Sequence, residues 1–263
     1  MSTGVFCKIG VFDSGVGGLT VVAQIKKYLP GASITYIGDT ARVPWGTRTP
    51  GTIIKFSNQL LDFLKQKDVS LAIAACHTAS AVALPFLTEE ISIPLIGVIR
   101  PTVESVIKQT RKGRVGIIAT PATIRSGEWE KALTRQNPKL EVVSVAAPLL
   151  VSVVEEANEK TKFASDLVAR YVIPFKKKKV DVVVLACTHY PLLYSIFKKE
   201  LPGVKLINPG EETAKYIKYL LDDNYVRGRD EFYFTGLTDN VRSQVSRFFG
   251  RQTNHLREVK VQK

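Results

Sequence analysis

The chain is poor in the residues that build disulfide frameworks and metal clusters: its 263 residues include only three cysteines, three histidines and one methionine. An odd number of cysteines cannot form a closed set of disulfides. Residues 1–12 have no basic segment before their short apolar stretch, which is untypical of a signal peptide and typical of a first strand. We therefore expect reduced thiols and a cytoplasmic location. No apolar run reaches the roughly 18 residues that span a bilayer, so we predict no membrane segment.

Acidic residues are scarce relative to basic ones, 24 against 37, and the formal net charge is +13. A positive field attracts anions, among them acidic metabolites and nucleic acid. A basic surface also keeps an ordinary protein soluble, so charge alone does not select a function. Hydrophobic residues make up 45% of the chain, which is typical of a globular protein with a core.

Short apolar runs alternate with longer segments of helical spacing along most of the chain. The runs are Cys7–Phe12, Ile34–Ile37, Leu71–Ala75, Leu95–Val98, Val115–Ala119, Val142–Ala146, Val180–Leu185 and Val204–Ile207. Continuous apolar strands that alternate with helices indicate parallel sheets covered on both faces. We predict an α/β fold, with the functional loops at the carboxyl ends of the strands.

Two features repeat along the chain at similar offsets. Residues 8–12 resemble residues 114–118 at an offset of 106 (114 − 8), each with a basic residue, an apolar residue and a glycine. Residues 74–76 resemble residues 185–187 at an offset of 111 (187 − 76). Chance similarity between parallel strands is the alternative. The repeat predicts two pseudo-symmetric domains, each a mostly parallel sheet flanked by helices, with Cys76 and Cys187 in equivalent places.

A glycine-rich loop, Asp-Ser-Gly-Val-Gly-Gly at residues 13–18, follows the first strand and precedes a predicted helix. Glycines let the backbone approach a ligand closely. No Gly-Lys-Ser/Thr ends the loop, so it is not a phosphate loop of the usual kind. A packing turn is the alternative, but Asp13 favours function because a carboxylate at a strand tip can accept a proton or hold an ammonium group. A second loop, residues 38–48, has the composition of a ligand-binding loop.

Cys76 and Cys187 each end an apolar strand and precede polar residues. A cysteine at a helix N-terminus has its thiolate stabilised by backbone amides, so we expect a lowered pKa. Three uses remain open: a zinc site with His77 and His189, a cysteine nucleophile with a histidine base, and a redox pair. Proton transfer at the α-carbon of an amino acid explains the pairing better, because inversion takes hydrogen from one face and returns it to the other. Cys7 is expected to be an inert small hydrophobe.

Taken together, these motifs resemble those of the glutamate racemases, within the cofactor-independent aspartate/glutamate racemase superfamily. The resemblance spans most of the chain and is carried by residues 10–19, 38–42, 44–46, 75–79, 97–99, 119–120 and 186–191. It implies interconversion of L- and D-glutamate for peptidoglycan synthesis, with no cofactor and no metal. It also implies a site between two domains, residues 1–97 plus 209–263 and residues 98–208.

The resemblance further implies roles for individual residues. Cys76 is the acid/base on the D-glutamate face and Cys187 the one on the L-glutamate face, with Asp13, His189 and Glu155 assisting. The residues implied to line the substrate are Asp13, Ser14, Trp45, Gly46, His77, Thr78, Thr120, Thr188 and His189. The chain departs from the family where His77 replaces asparagine, Trp45 replaces tyrosine and Ser152 replaces proline. Racemisation of another amino acid, such as aspartate or diaminopimelate, is therefore an alternative.

Two kinds of partner follow from the resemblance and the charge. Homodimers are common in the family, so a homodimer is possible. Some members are said to regulate DNA gyrase, and together with the +13 charge this makes contact with DNA or gyrase an alternative or side activity. The lysine run at residues 176–179 fits this hypothesis, although the end of a helix explains it more simply.

Overall fold

The computed structural model describes residues 7–87, 93–221, 225–253 and 255–261. The strands are β1 (Ile9–Asp13), β2 (Ile34–Gly38), β3 (Leu71–Ala74), β4 (Leu95–Gly97), β5 (Arg114–Ala119), β6 (Glu141–Ala146), β7 (Val182–Ala186), β8 (Lys205–Ile207), β9 (Glu231–Phe234) and β10 (Leu256–Glu258). The helices are α1 (Leu19–Tyr28), α2 (Pro50–Lys65), α3 (His77–Val82), α4 (Leu84–Leu87), α5 (Ile99–Gln109), α6 (Pro121–Ser126), α7 (Glu128–Gln136), α8 (Leu149–Glu155), α9 (Lys162–Tyr171), α10 (Ile173–Lys178), α11 (Tyr194–Glu200), α12 (Pro209–Leu221) and α13 (Asp239–Phe249). Short 3₁₀ helices cover Trp45–Thr47 and Tyr190–Leu193. None of the helices in this described part has the combination of length and hydrophobicity that crossing a membrane requires.

The strands form two sheets in which all neighbours run parallel. The first sheet has the order β10-β9-β2-β1-β3-β4, and the second has the order β6-β5-β7-β8. Parallel neighbours need long crossover connections, and helices supply most of them. The α/β fold predicted from the sequence is confirmed, and all eight predicted strands lie within two residues of their expected bounds.

The two sheets share one strand order, β2-β1-β3-β4 in the first and β6-β5-β7-β8 in the second. The strand before Cys76, β3, therefore corresponds to the strand before Cys187, β7. The corresponding strands β1 and β5 each contain a glycine against which a helix packs. A Cβ atom on Gly10 would lie 3.1 Å from a leucine of α2, and one on Gly116 would lie 2.9 Å from a phenylalanine of α10. The repeat seen in the sequence thus has a counterpart in topology and packing.

The hydrophobic core runs on both faces of the sheets. Successive side chains of a strand point to opposite faces, and Val11 and Phe12 of β1 accordingly belong to two different buried clusters. Each cluster also contains residues of the second sheet, Ile118 in one and Ile117 in the other. This packing fixes the carboxyl ends of β1, β3, β5 and β7, which carry the candidate site.

Strands β9 and β10 were not predicted. They form the edge of the first sheet next to β2. The first sheet takes its described strands from residues 9–97 and 231–258, and the second takes its strands from residues 114–207. The boundaries near residues 98 and 209 stay a prediction, because α5 and α12 lie between the two sets of strands in sequence and pack against each other.

Candidate active site

Cys76 follows β3 and is the N-cap residue of α3. It is buried, and its thiol donates to the hydroxyl oxygen of Ser14 at 3.4 Å. Burial and the nearby charge of Asp13 raise the pKa of Cys76 to about 12, although the contacts with Ser14 and the Ala79 N–H work in the opposite direction. The expectation of a lowered pKa is therefore wrong for this thiol. Cys76 therefore keeps its proton at neutral pH and can act as a proton donor.

Asp13 ends β1 directly behind this thiol. The Gly15 N–H donates to Asp13 Oδ2 at 3.0 Å, and Oδ1 has no hydrogen-bond partner within the described residues. Burial raises the pKa of Asp13, while the charge of His189 and the N–H groups of Gly18 and Gly15 act to lower it. A Cβ atom on Gly18 would lie 2.5 Å from the Asp13 Cβ atom. The glycine-rich loop therefore makes room for a buried carboxyl group.

Cys187 follows β7, on the second sheet. Its Sγ atom lies 3.8 Å from Nδ1 of His189. The chain then enters the 3₁₀ helix Tyr190–Leu193, and α11 begins only at Tyr194. The expectation of a helix N-terminus is met at Cys76 and not at Cys187, because the second cysteine is followed by a turn. The partner of the Cys187 sulfur is a side chain.

His189 connects Cys187 to Glu155, the last residue of α8. Its Nε2 atom lies 3.1 Å from Glu155 Oε1. Burial on its own would lower the pKa of His189, but the hydrogen bonds to Cys187 and Glu155 and their charges raise it to about 10. The ring is therefore an imidazolium at neutral pH. The two thiols lie in contrasting surroundings, one beside a carboxyl group and the other beside a cation.

His77 faces the same space but carries no charge. Burial lowers its pKa to about 3, so the ring is neutral at physiological pH. Within the described chain neither ring nitrogen has a hydrogen-bond partner, and the ring stacks on Trp129 at a centroid distance of 6.3 Å. A neutral imidazole keeps one donor and one acceptor, which are available to a ligand. His77 therefore does not lower the pKa of Cys76 by carrying a positive charge.

We expect His77 to make the fold sensitive to acid. Its folded-state pKa lies below the unfolded value, so the unfolded chain binds more protons between about pH 6.5 and about pH 3, and acidification favours unfolding. The cost should be about 2 kcal/mol between about pH 6.5 and about pH 5. Urea unfolding of His77→Asn and of the parent protein across this range should show a shallower loss of stability in the variant. Equal slopes with pH would contradict a buried, neutral histidine.

Three threonine hydroxyls form a cluster at the start of α3 and α6. Thr78 Oγ1 lies 2.9 Å from Thr120 Oγ1, which lies 2.9 Å from Thr123 Oγ1. Thr78 and Thr120 line the cavity, whereas Thr123 supports them from behind. On the other side, Thr20 donates to the backbone carbonyl of Thr188 at 2.9 Å. Thr78 and Thr120 therefore present hydroxyls to the cavity, whereas Thr20 fixes the backbone at Thr188.

The loop at residues 38–48 is held by Asp39, which is fully buried. Its carboxylate accepts from Trp45 Nε1 at 3.0 Å and from Arg42 Nε at 2.8 Å. Arg42 therefore braces the loop, and Trp45 is a buried wall of the cavity. A Cβ atom on Gly46 would lie 2.9 Å from the Cβ atom of Thr120. This close approach places the loop against the second half of the chain.

The two thiols and the groups around them face one cavity of about 320 Å³. Of the residues expected at the site, it is lined by Ser14, Trp45, Gly46, Cys76, His77, Thr78, Thr120, Glu155, Cys187, Thr188 and His189. Asp13 is the one expected residue outside the lining and lies behind it. Further lining residues that were not expected at the site are Gly15, Val43, Pro44, Thr47, Pro121, Pro148, Leu149, Val151 and Ser152. Most follow a strand end or belong to the 38–48 loop, which is the signal that would have found them.

The other uses of the cysteines find less support. Across the described ranges, no group of three or more His, Cys, Asp or Glu side chains has the arrangement of a metal site. Cys76 and Cys187 are free thiols rather than a disulfide. Cys7 is also free and half-buried, and burial raises its pKa to about 11, which makes it a poor nucleophile. The arrangement supports an acid and a base that act across one small pocket.

A cavity that holds two thiols in contrasting electrostatic surroundings defines an enzyme of proton transfer, and comparisons with known proteins identify its family. The family model of the Asp/Glu/Hydantoin racemases matches residues 9–217. A glutamate racemase of Lactiplantibacillus plantarum is 40% identical over 259 residues, which cover 95% of each chain. The chain belongs to the Asp/Glu/hydantoin racemase family.

Comparison with solved structures leads to the same family. A glutamate racemase isoform from Bacillus anthracis is 39% identical and superposes with a TM-score of 0.93, covering 98% of each chain. A glutamate racemase from Francisella tularensis, solved in complex with D-glutamate, is 36% identical with a TM-score of 0.91, covering 97% of this chain and 98% of that one. These similarities confirm the two-sheet α/β architecture. They also identify the protein as a racemase that does not depend on pyridoxal phosphate.

Proposed function

We propose that the protein is a glutamate racemase that inverts the α-carbon by two-base proton transfer. The observation that carries the proposal is the placement of Cys76 and Cys187. They follow equivalent strands of two sheets with the same order and line one cavity. Relatives named as glutamate racemases, about 40% identical over most of the chain, support glutamate as the substrate.

The two thiols exchange roles in the proposed reaction. In the proposed step the Cys187 sulfur, which lies 3.8 Å from the His189 ring, is the base that removes the α-proton of L-glutamate. The electron pair that remains on Cα is delocalised into the α-carboxylate and stabilised by donors of the pocket. Cys76 then gives its proton to the opposite face of Cα and becomes the thiolate. In the reverse direction Cys76 takes the proton from D-glutamate and Cys187 returns one.

The remaining polar groups are proposed to hold the substrate. The hydroxyls of Ser14, Thr78 and Thr120 and the backbone around Gly46 and Thr188 face the cavity from both sheets. They are suited to bind the two carboxylates of glutamate, while Asp13, which lies behind the cavity lining, is suited to assist Cys76. His77 adds a neutral donor. Glu155 acts on the substrate only through His189.

A screen of amino acids by chiral chromatography tests the proposal. The purified protein should racemise glutamate with a higher kcat/KM than aspartate or diaminopimelate, without added cofactor. His77→Asn should shift the relative rates towards glutamate if the imidazole has changed selectivity. Faster turnover of aspartate or diaminopimelate by the parent protein would overturn glutamate as the substrate, and racemisation of none would overturn the function.

A second candidate function, binding to nucleic acid, is favoured by a basic cleft of about 1060 Å³ on the second half of the chain. The cleft lies near the amino ends of β5, β7 and β8, away from Cys187. Its cationic residues are Lys108, Arg111, Lys112, Lys176, Lys179, Lys199 and Lys205. Its two acids are engaged: Asp181 accepts from the Lys112 N–H at 2.8 Å, and Glu200 pairs with Lys176 at 2.9 Å. Uncompensated positive charge suits a phosphate backbone.

We expect duplex DNA to bind this cleft in a salt-dependent way. The triple variant Lys112→Glu, Lys179→Glu, Lys205→Glu should weaken binding in fluorescence anisotropy and flatten the dependence of log K on log salt, by about 0.9 per lost phosphate contact. A matched control makes the same charge change at the exposed lysines Lys55, Lys139 and Lys160. Equal weakening in both variants would show that only net charge acts and would contradict the cleft.

Three finer expectations are proposals as well. A homodimer rests on the resemblance to the family. A cytoplasmic location rests on the free thiols Cys7, Cys76 and Cys187. Contact with DNA gyrase rests on the resemblance and the basic charge, and the cleft is the surface where we would look for it.

A further inference from the structure

The carbonyl groups at the end of α8 are bound by a distant helix. The last carbonyls of an α-helix have no partner within the helix and need donors from elsewhere. The Gln244 side chain donates to the backbone carbonyl of Glu155 at 2.8 Å, and the Arg247 guanidinium donates to the carbonyl of Val154. Both donors belong to α13, which follows a strand of the first sheet. Helix α8, by contrast, follows β6 of the second sheet.

The same face of α13 also contacts the catalytic imidazole. The ring of Phe248 meets the ring of His189 edge-on, with centroids 5.2 Å apart and an interplanar angle of 78°. Residues 244, 247 and 248 are spaced i, i+3 and i+4, so their side chains lie on one face of the helix. Gln244 and Phe248 are buried. This face therefore touches both members of the Glu155–His189 pair.

We propose that α13 is a positioning element for proton transfer at Cys187. Gln244 and Arg247 hold the end of α8, and with it the Glu155 carboxylate, while Phe248 limits the tilt of the His189 ring. The imidazolium is thereby kept in line with the Cys187 sulfur. No residue of α13 lines the cavity, and the thiol of Cys76 donates to Ser14, which precedes α1. The helix accordingly acts on one thiol of the pair, and this inference rests on the proposed function.

Single-thiol enzymes separate the two halves of the reaction. In Cys76→Ser the remaining Cys187 can exchange the α-hydrogen of L-glutamate with deuterium from D₂O, without inversion. In Cys187→Ser the remaining Cys76 can exchange the α-hydrogen of D-glutamate with deuterium from D₂O. Adding Arg247→Met to each should slow exchange at Cys187 roughly 10- to 100-fold, since small misplacements of catalytic groups have effects of this size. Exchange at Cys76 should not change.

The controls distinguish positioning from damage to the fold. Arg247→Lys keeps a donor for the Val154 carbonyl and should restore most of the exchange at Cys187. Arg242→Met, an exposed position on the same helix, should affect neither thiol. Equal slowing at both thiols by Arg247→Met, or no slowing at either, would overturn the positioning role. Failure of the parent protein to racemise glutamate would instead overturn the proposed function.

Discussion

Replacing either Cys76 or Cys187 by serine is expected to reduce racemisation of glutamate by a factor of about 10³, because each substitution removes the acid or base from one face of Cα. Serine is close to cysteine in size, so the cavity keeps its shape, but a hydroxyl is a much weaker acid than a thiol. Chiral chromatography of glutamate in both directions measures the loss. Since a racemase must use both groups in each turnover, both variants should lose activity in both directions.

Cys7→Ser is the matched control. Cys7 is also a free thiol, but it packs beside the core of the first sheet and does not line the cavity. This variant should racemise glutamate at the parent rate. Parent-like racemisation by Cys76→Ser or Cys187→Ser would contradict the two-base account, even if the other variant were inactive.

Gly17→Ala is expected to lower activity strongly by adding a single methyl group beside His189. A Cβ atom on Gly17 would lie 2.3 Å from Thr188 Oγ1 and 2.8 Å from the His189 ring. Both neighbours belong to the second sheet's half of the pocket, so the added atom must displace His189 from Cys187 or separate the two halves. A displacement of about 1 Å lowers a catalytic rate by roughly 10²-fold. Steady-state kinetics should show a fall in kcat/KM of this order.

Gly51→Ala provides the comparison for Gly17→Ala. Gly51 lies in the first turn of α2, and no atom lies within 4 Å of a Cβ placed there. Alanine favours a helix over glycine by up to about 1 kcal/mol, so this variant should keep full activity and be slightly more stable. Full activity in Gly17→Ala would show that the pocket accommodates the extra methyl group without displacing His189. It would contradict the claim that close packing at Gly17 is needed for catalysis.

Local features were predictable because they depend on neighbours in sequence. The strand before Cys76, the glycine-rich turn after β1 and the repeat that pairs Cys76 with Cys187 all leave periodic or compositional signals. The lysine run at residues 176–178 ends α10, as expected for cations at a helix C-terminus. These signals singled out the two cysteines and the two loops, whereas most of the other lining residues were named through the resemblance to the glutamate racemases.

The electrostatic state of the site was not predictable in the same way. A helix N-terminus lowers a thiol pKa, yet Cys76 has a raised one, because its burial and its distance from Asp13 are set by tertiary packing. The pair of His189 and Glu155 joins residues from two different connections of the second sheet. The contacts of Gln244 and Arg247 reach across 89 and 93 positions of sequence. Only the folded chain brings these groups together.

The contrast between the two thiols gives the site a defined resting state. Cys76 keeps its proton beside Asp13, and the His189 imidazolium lies 3.8 Å from the Cys187 sulfur. Groups whose environments push their protonation states apart are how one pocket provides an acid and a base together. We therefore assign Cys76 as the acid in the direction from L- to D-glutamate, and the two thiols exchange roles in the other direction.

The position of solvent hydrogen in the first product tests the two-thiol account most directly. The parent protein should be given L-glutamate in D₂O, and the reaction should be stopped at early conversion and resolved by chiral chromatography with mass spectrometry. The account predicts that D-glutamate carries one deuterium at Cα, donated by Cys76, while the remaining L-glutamate keeps its original hydrogen. D-glutamate that retains the hydrogen of its substrate would show that one group serves both faces, and would contradict the account.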